Sequence, residues 1–217
     1  MLFDTGSDGG VLLANMRRMG LRPQAVDAVV LSHVHADHTG GLDDLLAIKA
    51  DLDVWLPAGF PATLQRAITD RGARVRPVGT GGRLFGNGHS TGPLNDGVIE
   101  QALILDTARG LVVITGCAHP GIVRIAETAM RLTGQRIHLL MGGFHLMRAD
   151  RAEIQAIIAR LQALGVEKVA PSHCTGVAAI TQFRQAWGQG FVEGGLGAVI
   201  EVPSQPGHGS AVQQGRT

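Results

Sequence analysis

The sequence predicts an α/β fold in which sheets are covered by helices, and three observations carry that expectation. Short apolar runs of strand length alternate with segments whose apolar residues recur at helical spacing. Most of the nine histidines follow an apolar run directly, in glycine-rich turns, where side chains converge at one edge of a sheet. The 217 residues are 45% hydrophobic and 17% charged, enough apolar material for one stable core and too little charge for a disordered chain.

The elements follow in chain order. Residues 1–3 form a short first strand, and a strand or hairpin before it is expected to be lacking. A helix is expected over 10–19, a buried strand over 26–31, and a helix over 41–50 that Gly40 and Gly41 open. Strand 54–56, helix 62–70 and strand 75–78 come next. Residues 79–96 are rich in glycine and turn formers and read as loops near the site. Strands at 98–105 and 111–115, a helix over 122–132 and a strand at 136–140 follow. The helix over 151–164 has the clearest limits. Asp150 with Glu153 resembles a capping box, Gly165 is placed to stop it, and Ile154, Ile157, Ile158, Leu161 and Leu164 make one buried stripe. A strand at 166–170, a helix over 177–187 and a strand at 197–202 complete a domain spanning 1–202. The tail 203–217 has no periodicity and reads as disordered.

Bulk properties narrow the function. A formal net charge of +1 gives no field for nucleic acid or an anionic membrane, and the absence of tyrosine with 4% aromatics argues against a base-stacking surface. The N-terminal MLFDTGSDGG has no signal-peptide pattern, and no apolar run is long enough to span a bilayer. Two cysteines make no disulfide framework. A cytoplasmic protein acting on a small molecule is expected, with no nucleic-acid or membrane partner and with a homo-oligomer as one arrangement open to it.

The chemistry concentrates in LSHVHADHTGGL, residues 31–42. His33, His35, Asp37 and His38 fall in the turn between a buried strand and a helix. Alternate residues of an extended segment point the same way, so His33 and His35 can hold one ion while Asp37 and His38 reach a second. A histidine-rich polar loop is the plain alternative, but three histidines and an aspartate within six positions are dense for that reading. One loop cannot fill two coordination spheres. His119 in TGCAHPGI and His173 in PSHCTG have the same strand-then-turn setting and are expected to supply further ligands. His145 in GGFHL is expected in the site, as a catalytic proton donor or anion binder more than as a ligand. Cys117 and Cys174 read first as packing residues, with Cys117 the better candidate for a bridging ligand. Asp4 is either a turn former or a residue that orients a ligand histidine, and His89 is placed in a loop within reach of substrate.

SHVHADH at Ser32–His38 matches the HxHxDH pattern of the metallo-β-lactamase superfamily, and LFDTG at Leu2–Gly6 resembles that superfamily's first strand end. TGCAHPGI, GGFHL and PSHCTG together resemble the 7,8-dihydropterin-6-methyl-4-(β-D-ribofuranosyl)-aminobenzene-5′-phosphate synthase-like subfamily. The resemblance runs from Leu2 to about Val202. It implies an αββα sandwich with two mixed sheets inside, lacking the first N-terminal strand or strands. It implies one ion on His33, His35 and His119 and another on Asp37, His38 and His173. Zinc is the first expectation, with manganese or iron as alternatives. The strand end GCAH departs from the superfamily's usual words and leaves the bridging ligand open. The short start points to a misplaced start, a truncation or a partner covering the edge.

A two-metal site lowers the pKa of a shared water and clamps both oxygens of a displacement, so hydrolysis follows, with Asp37 orienting the nucleophile. The subfamily implies a transfer instead, in which pyrophosphate leaves a pterin methyl group and water is excluded. A di-iron oxygen-binding redox protein and a metal-binding module without turnover are the competing readings.

Overall fold

The computed structural model describes residues 1–203. The tail expected to be disordered, with His208, lies from residue 204 onward outside the described residues. Twelve strands and seven α-helices are named here in chain order. They are β1 (Leu2–Phe3), α1 (Gly9–Arg18), β2 (Ala28–Val30), α2 (Ala36–Thr39), α3 (Leu42–Ile48), β3 (Asp53–Pro57), α4 (Ala62–Asp70) and β4 (Arg74–Val78). Then come β5 (Gly82–Phe85), β6 (Gly88–Ser90), β7 (Leu94–Asp96), β8 (Val98–Glu100), β9 (Leu103–Thr107) and β10 (Gly110–Thr115). The last are α5 (Ile122–Thr133), β11 (Ile137–Gly143), α6 (Arg151–Ala163), β12 (Lys168–Ser172) and α7 (Val177–Trp187).

A parallel four-stranded sheet runs β1-β2-β3-β4, and a mixed six-stranded sheet runs β12-β11-β10-β9-β6-β5. In the larger sheet β10, β11 and β12 are parallel and β9 is antiparallel to β10. Each sheet has its own helical cover and its own core. Val29, Leu31, Val54 and Leu56 of the small sheet pack with Met16, Leu42, Leu45, Leu46 and Ile68 from α1, α3 and α4. Ile104, Val113, Leu140 and Val169 of the large sheet pack with residues of α5, α6 and α7, among them Ile125, Ile158 and Phe183. This is the expected αββα arrangement. Asp150 caps α6 by accepting from the Glu153 N–H at 2.9 Å, as its sequence position predicts. No helix among the described residues is long and apolar enough to cross a membrane.

Three expectations are corrected. Residues 79–96, read as loops, contain β5, β6 and β7. The run expected as one strand over 98–105 breaks at Gln101–Ala102 into β8, which pairs with β7, and β9, which joins the large sheet. Gln101 causes the break by turning inward: its N–H donates to Ser32 O at 2.9 Å and its amide to Leu31 O at 2.9 Å, so it ties the two sheets together. No strand forms at 197–202. That segment instead lays Ile200 and Val202 against Val112 and Leu139 on the face of the large sheet away from its helices. Beneath it lies a largely apolar cavity of about 390 Å³, lined among others by Leu105, Ile114 and Met141.

Candidate metal centre

The C-terminal ends of β1 and β2 from one sheet and of β10, β11 and β12 from the other meet at one edge. Strand ends must turn sharply there, and the four non-glycine residues with positive φ among the described residues all lie in these turns: Asp4, Ala118, His145 and His173, at φ 54°, 63°, 56° and 51°. Strained backbone of this kind persists only where surrounding structure over-determines it, and it gathers at functional sites.

The turn after β2 projects His33 and His35 together, with His33 Nε2 and His35 Nδ1 3.1 Å apart. His119, in the turn after β10, stands beside them, its ring centroid 4.6 Å from that of His33. Donor atoms of His33, His35 and His119 fall within 4.8 Å of one another. A second group, equally compact, comprises Asp37 and His38 from α2, His173 after β12, and Cys117. In it His38 Nε2 lies 3.4 Å from Asp37 Oδ2, and His173 Nε2 lies 3.3 Å from the same oxygen. The structure thus brings together all six residues expected as ligands, in the two triplets expected, and adds Cys117 to one of them.

Two carboxylates, one partly buried and one fully buried, fix the imidazoles. Asp4 Oδ1 accepts from the Ser32 N–H, and its Oδ2 accepts from both the Ser32 hydroxyl and His38 Nδ1, each at 2.7 Å. Ser32 Oγ in turn receives His33 Nδ1 at 2.9 Å. Asp4 is therefore the orienting residue of its two readings. Glu100, at the end of β8, is fully buried. It accepts the N–H groups of Cys117, Ala118 and His119 and the Nδ1 of His119, at 2.8–3.0 Å. In all three imidazoles the outer nitrogen is used, which leaves Nε2 free as an acceptor toward the site. Sequence reasoning missed Glu100, because it sits inside an apolar run; an acid in such a run was the one available sign.

The electrostatics suit cations. Burial first, then the neighbouring His38, His119, His35 and His173, hold His33 down to about 2, so it is a neutral donor. Burial pulls His38 down, but the Asp4 hydrogen bond and the charges of Asp4, Asp37 and Glu100 outweigh it and raise its pKa. Donor atoms 3.1–3.4 Å apart also match the ligand edge, about 3.3 Å, of a tetrahedral site with ligands 2.0–2.1 Å from a zinc-sized ion.

His145 belongs to neither triplet. It is exposed, its ring 4.5 Å from that of His119, and its donor atom groups with Cys117 and Cys174. With Arg148, Met147 and Cys174 it lines a cavity of about 320 Å³. A larger cavity, about 430 Å³, opens over Asp37, His38 and His173 and is floored by Gly116, Gly142 and Gly143. A side chain at Gly116 would overlap Ser32 Oγ, and one at Gly142 would overlap Thr115 O. One expectation fails here. His89 lies on β6 facing Asp106 at 3.7 Å, not in a loop at the site. Cys117 is buried but belongs to no apolar core cluster.

Comparison with known proteins agrees with the fold. Residues 1–90 match a family model described as the β-lactamase superfamily domain. The chain is 27% identical to 7,8-dihydropterin-6-methyl-4-(β-D-ribofuranosyl)-aminobenzene-5′-phosphate synthase of Methanocaldococcus jannaschii, over 93% of this chain and 84% of that one. It superposes with a TM-score of 0.80 and 28% identity on a solved metal-dependent hydrolase of the β-lactamase superfamily, covering 94% of this chain and 89% of the other. A metallo-β-lactamase fold protein from Bacillus subtilis, 17% identical over 88% of this chain and 80% of its own, shares the fold with a TM-score of 0.61.

Proposed function

We propose that the chain is a member of the metallo-β-lactamase superfamily, which it resembles in its family-model match, its relatives and its fold, and that it is a binuclear metal-dependent enzyme acting on a small, phosphorylated, pterin-type substrate. The observation that carries this reading is the convergence of two compact donor groups, His33–His35–His119 and Asp37–His38–His173, the second of which lines a cavity of about 430 Å³. A pair of divalent ions, zinc first among them, supplies Lewis acidity and a water acidified toward a pKa of about 7.

The chain's own residues do the rest. Asp4 and Glu100 hold His38 and His119 so that each presents Nε2. Asp37, half-exposed at the cavity, orients the attacking group and takes its proton. His145 and Arg148 line the neighbouring cavity and bring cationic donors to phosphate oxygens, His145 also giving a proton to the departing group. Gly116 and Gly142 let the strand ends pack closely beneath the cavity, because a Cβ at either would collide with Ser32 or with Thr115. The name of the methanogen relative supports a synthase reaction that joins a dihydropterin methyl group to an aminobenzene riboside phosphate; that of the solved hydrolase supports attack by hydroxide.

Two measurements test the reading. Metal analysis of protein purified without added metal is expected to give about two equivalents, with a marked loss in His35→Ala; unchanged content in the variant removes His35 from the ligand set. Incubation with a dihydropterin methyl pyrophosphate is expected to release pyrophosphate. Release only when an aminobenzene riboside phosphate is present identifies transfer, release without it identifies hydrolysis, and no release under either condition defeats the substrate assignment.

A further inference from the structure

We propose that Cys117 is a terminal ligand of the second metal position, where its thiolate joins Asp37, His38 and His173 in a donor set of two nitrogens, one oxygen and one sulfur. The inference rests on the metal-centre reading above and adds a residue that reading does not need.

Position is the first argument. Cys117 Sγ lies 3.3 Å from His38 Nε2, the nitrogen left free once Asp4 occupies Nδ1. It falls within the same 4.8 Å envelope as the donor atoms of Asp37 and His173, and it is not in the group formed by His33, His35 and His119. That placement is terminal on one position; a bridging ligand would have to join both groups. For a tetrahedral ion with nitrogen at about 2.05 Å and sulfur at about 2.3 Å, the nitrogen–sulfur edge is about 3.6 Å, close to the observed separation.

Construction is the second. A cysteine that serves packing sits among apolar neighbours, and this one joins none of the three apolar clusters although it is 4% exposed. Its backbone is instead held by an ionic acceptor: Glu100 Oε1 takes the N–H of Cys117 at 3.0 Å and of Ala118 at 2.8 Å, and Ala118 is forced into left-handed φ. The same carboxylate orients His119. One buried acid therefore sets a ligand for each position, Sγ for one and Nε2 for the other.

A sulfur donor changes metal preference. The first triplet is all imidazole. Thiolate in the second disfavours magnesium and calcium, which take oxygen, and favours zinc, cobalt and ferrous iron. Cys174 is the rival ligand, since Cys117, His145 and Cys174 also form a compact group.

The test uses the full chain loaded with cobalt(II), read by absorption. The parent is expected to take up two equivalents and to show a near-ultraviolet sulfur-to-cobalt charge-transfer band. Cys117→Ser, checked for native circular dichroism, is expected to lose the band and to bind the second equivalent at least about tenfold more weakly, while Cys174→Ser keeps both. Cobalt uptake by the parent without a charge-transfer band overturns the proposal and leaves the metal centre standing. A band lost in Cys174→Ser and kept in Cys117→Ser overturns it in favour of the rival. No cobalt uptake at all overturns the metal-centre reading and this proposal with it. If Cys117→Ser fails to fold, the parent spectrum alone decides between sulfur and no sulfur, and Cys174→Ser assigns it.

Discussion

Asp4 and Glu100 each hold an imidazole that would otherwise rotate. Removing the charge from such a partner typically costs 10–100-fold in metal affinity, so Asp4→Asn and Glu100→Gln are each expected to weaken cobalt binding by about that factor in a competition titration. Glu100→Gln is expected to be the less stable of the two, by about 1–3 kcal/mol in urea denaturation, because an amide oxygen cannot replace both carboxylate oxygens for four buried donors. Acid sensitivity also belongs at this scale. In the metal-free protein His33 stays neutral down to about 2, while the unfolded chain protonates it below about 6.5. The unfolded state therefore binds more protons between those values, and stability falls as pH is lowered through that window. His38 has the opposite sign: with its folded pKa raised, its contribution is complete below about 6.5 and is lost as pH rises through the folded value. Denaturation of metal-free protein at pH 5 and pH 7 is expected to show lower stability at pH 5, and replacing the titrating group in His33→Asn is expected to flatten the difference. The six imidazole and carboxylate positions were legible because ligand types in strand-end turns have few other uses. Glu100 was not, because its partners are backbone groups of a turn seventeen to nineteen residues later, and nothing local announces them.

Helices were the legible elements. The isoleucine and leucine spacing and Asp150 define α6 with little help from the rest of the fold, and Asp150→Ala is expected to lower stability by about 1 kcal/mol in the same denaturation assay, with metal content unchanged. Short strands were harder. β5 to β8 are three or four residues each, and β5 and β6 open on glycines in a stretch that, with β7, reads as loop; their pairing comes from neighbours across the sheet. The break between β8 and β9 depends on Gln101 reaching Leu31 and Ser32, seventy residues away in sequence for the amide bond. Turn glycines join these elements to the site. Gly116→Ala would press a methyl against Ser32 Oγ and close on Asp4 Oδ2. It is expected to disturb the Asp4–Ser32–His38 bonds and to lower metal affinity about as much as Asp4→Asn, which a parallel titration checks.

At the scale of the molecule the candidate centre lies across the seam between two separately cored layers, with His33, His35, Asp37 and His38 from one and His119 and His173 from the other. A ligand that binds only the folded state stabilises it by mass action, so chelation is expected to lower the melting temperature, and in the His35→Ala variant chelation is expected to lower it less. The layering itself was legible through family resemblance; periodicity alone gave only sheets covered by helices, because it does not say which strands share a sheet. The choice of instrument for that melting experiment follows from the apolar cleft under the 197–202 segment, where Leu105, Ile114 and Met141 stay partly open to solvent. Environment-sensitive dyes such as anilinonaphthalene sulfonate light up on surfaces of this kind, so the native protein is expected to fluoresce before any heating. A dye-based thermal shift would start from a high baseline and flatten the transition, and calorimetry or circular dichroism is the better witness to chelation.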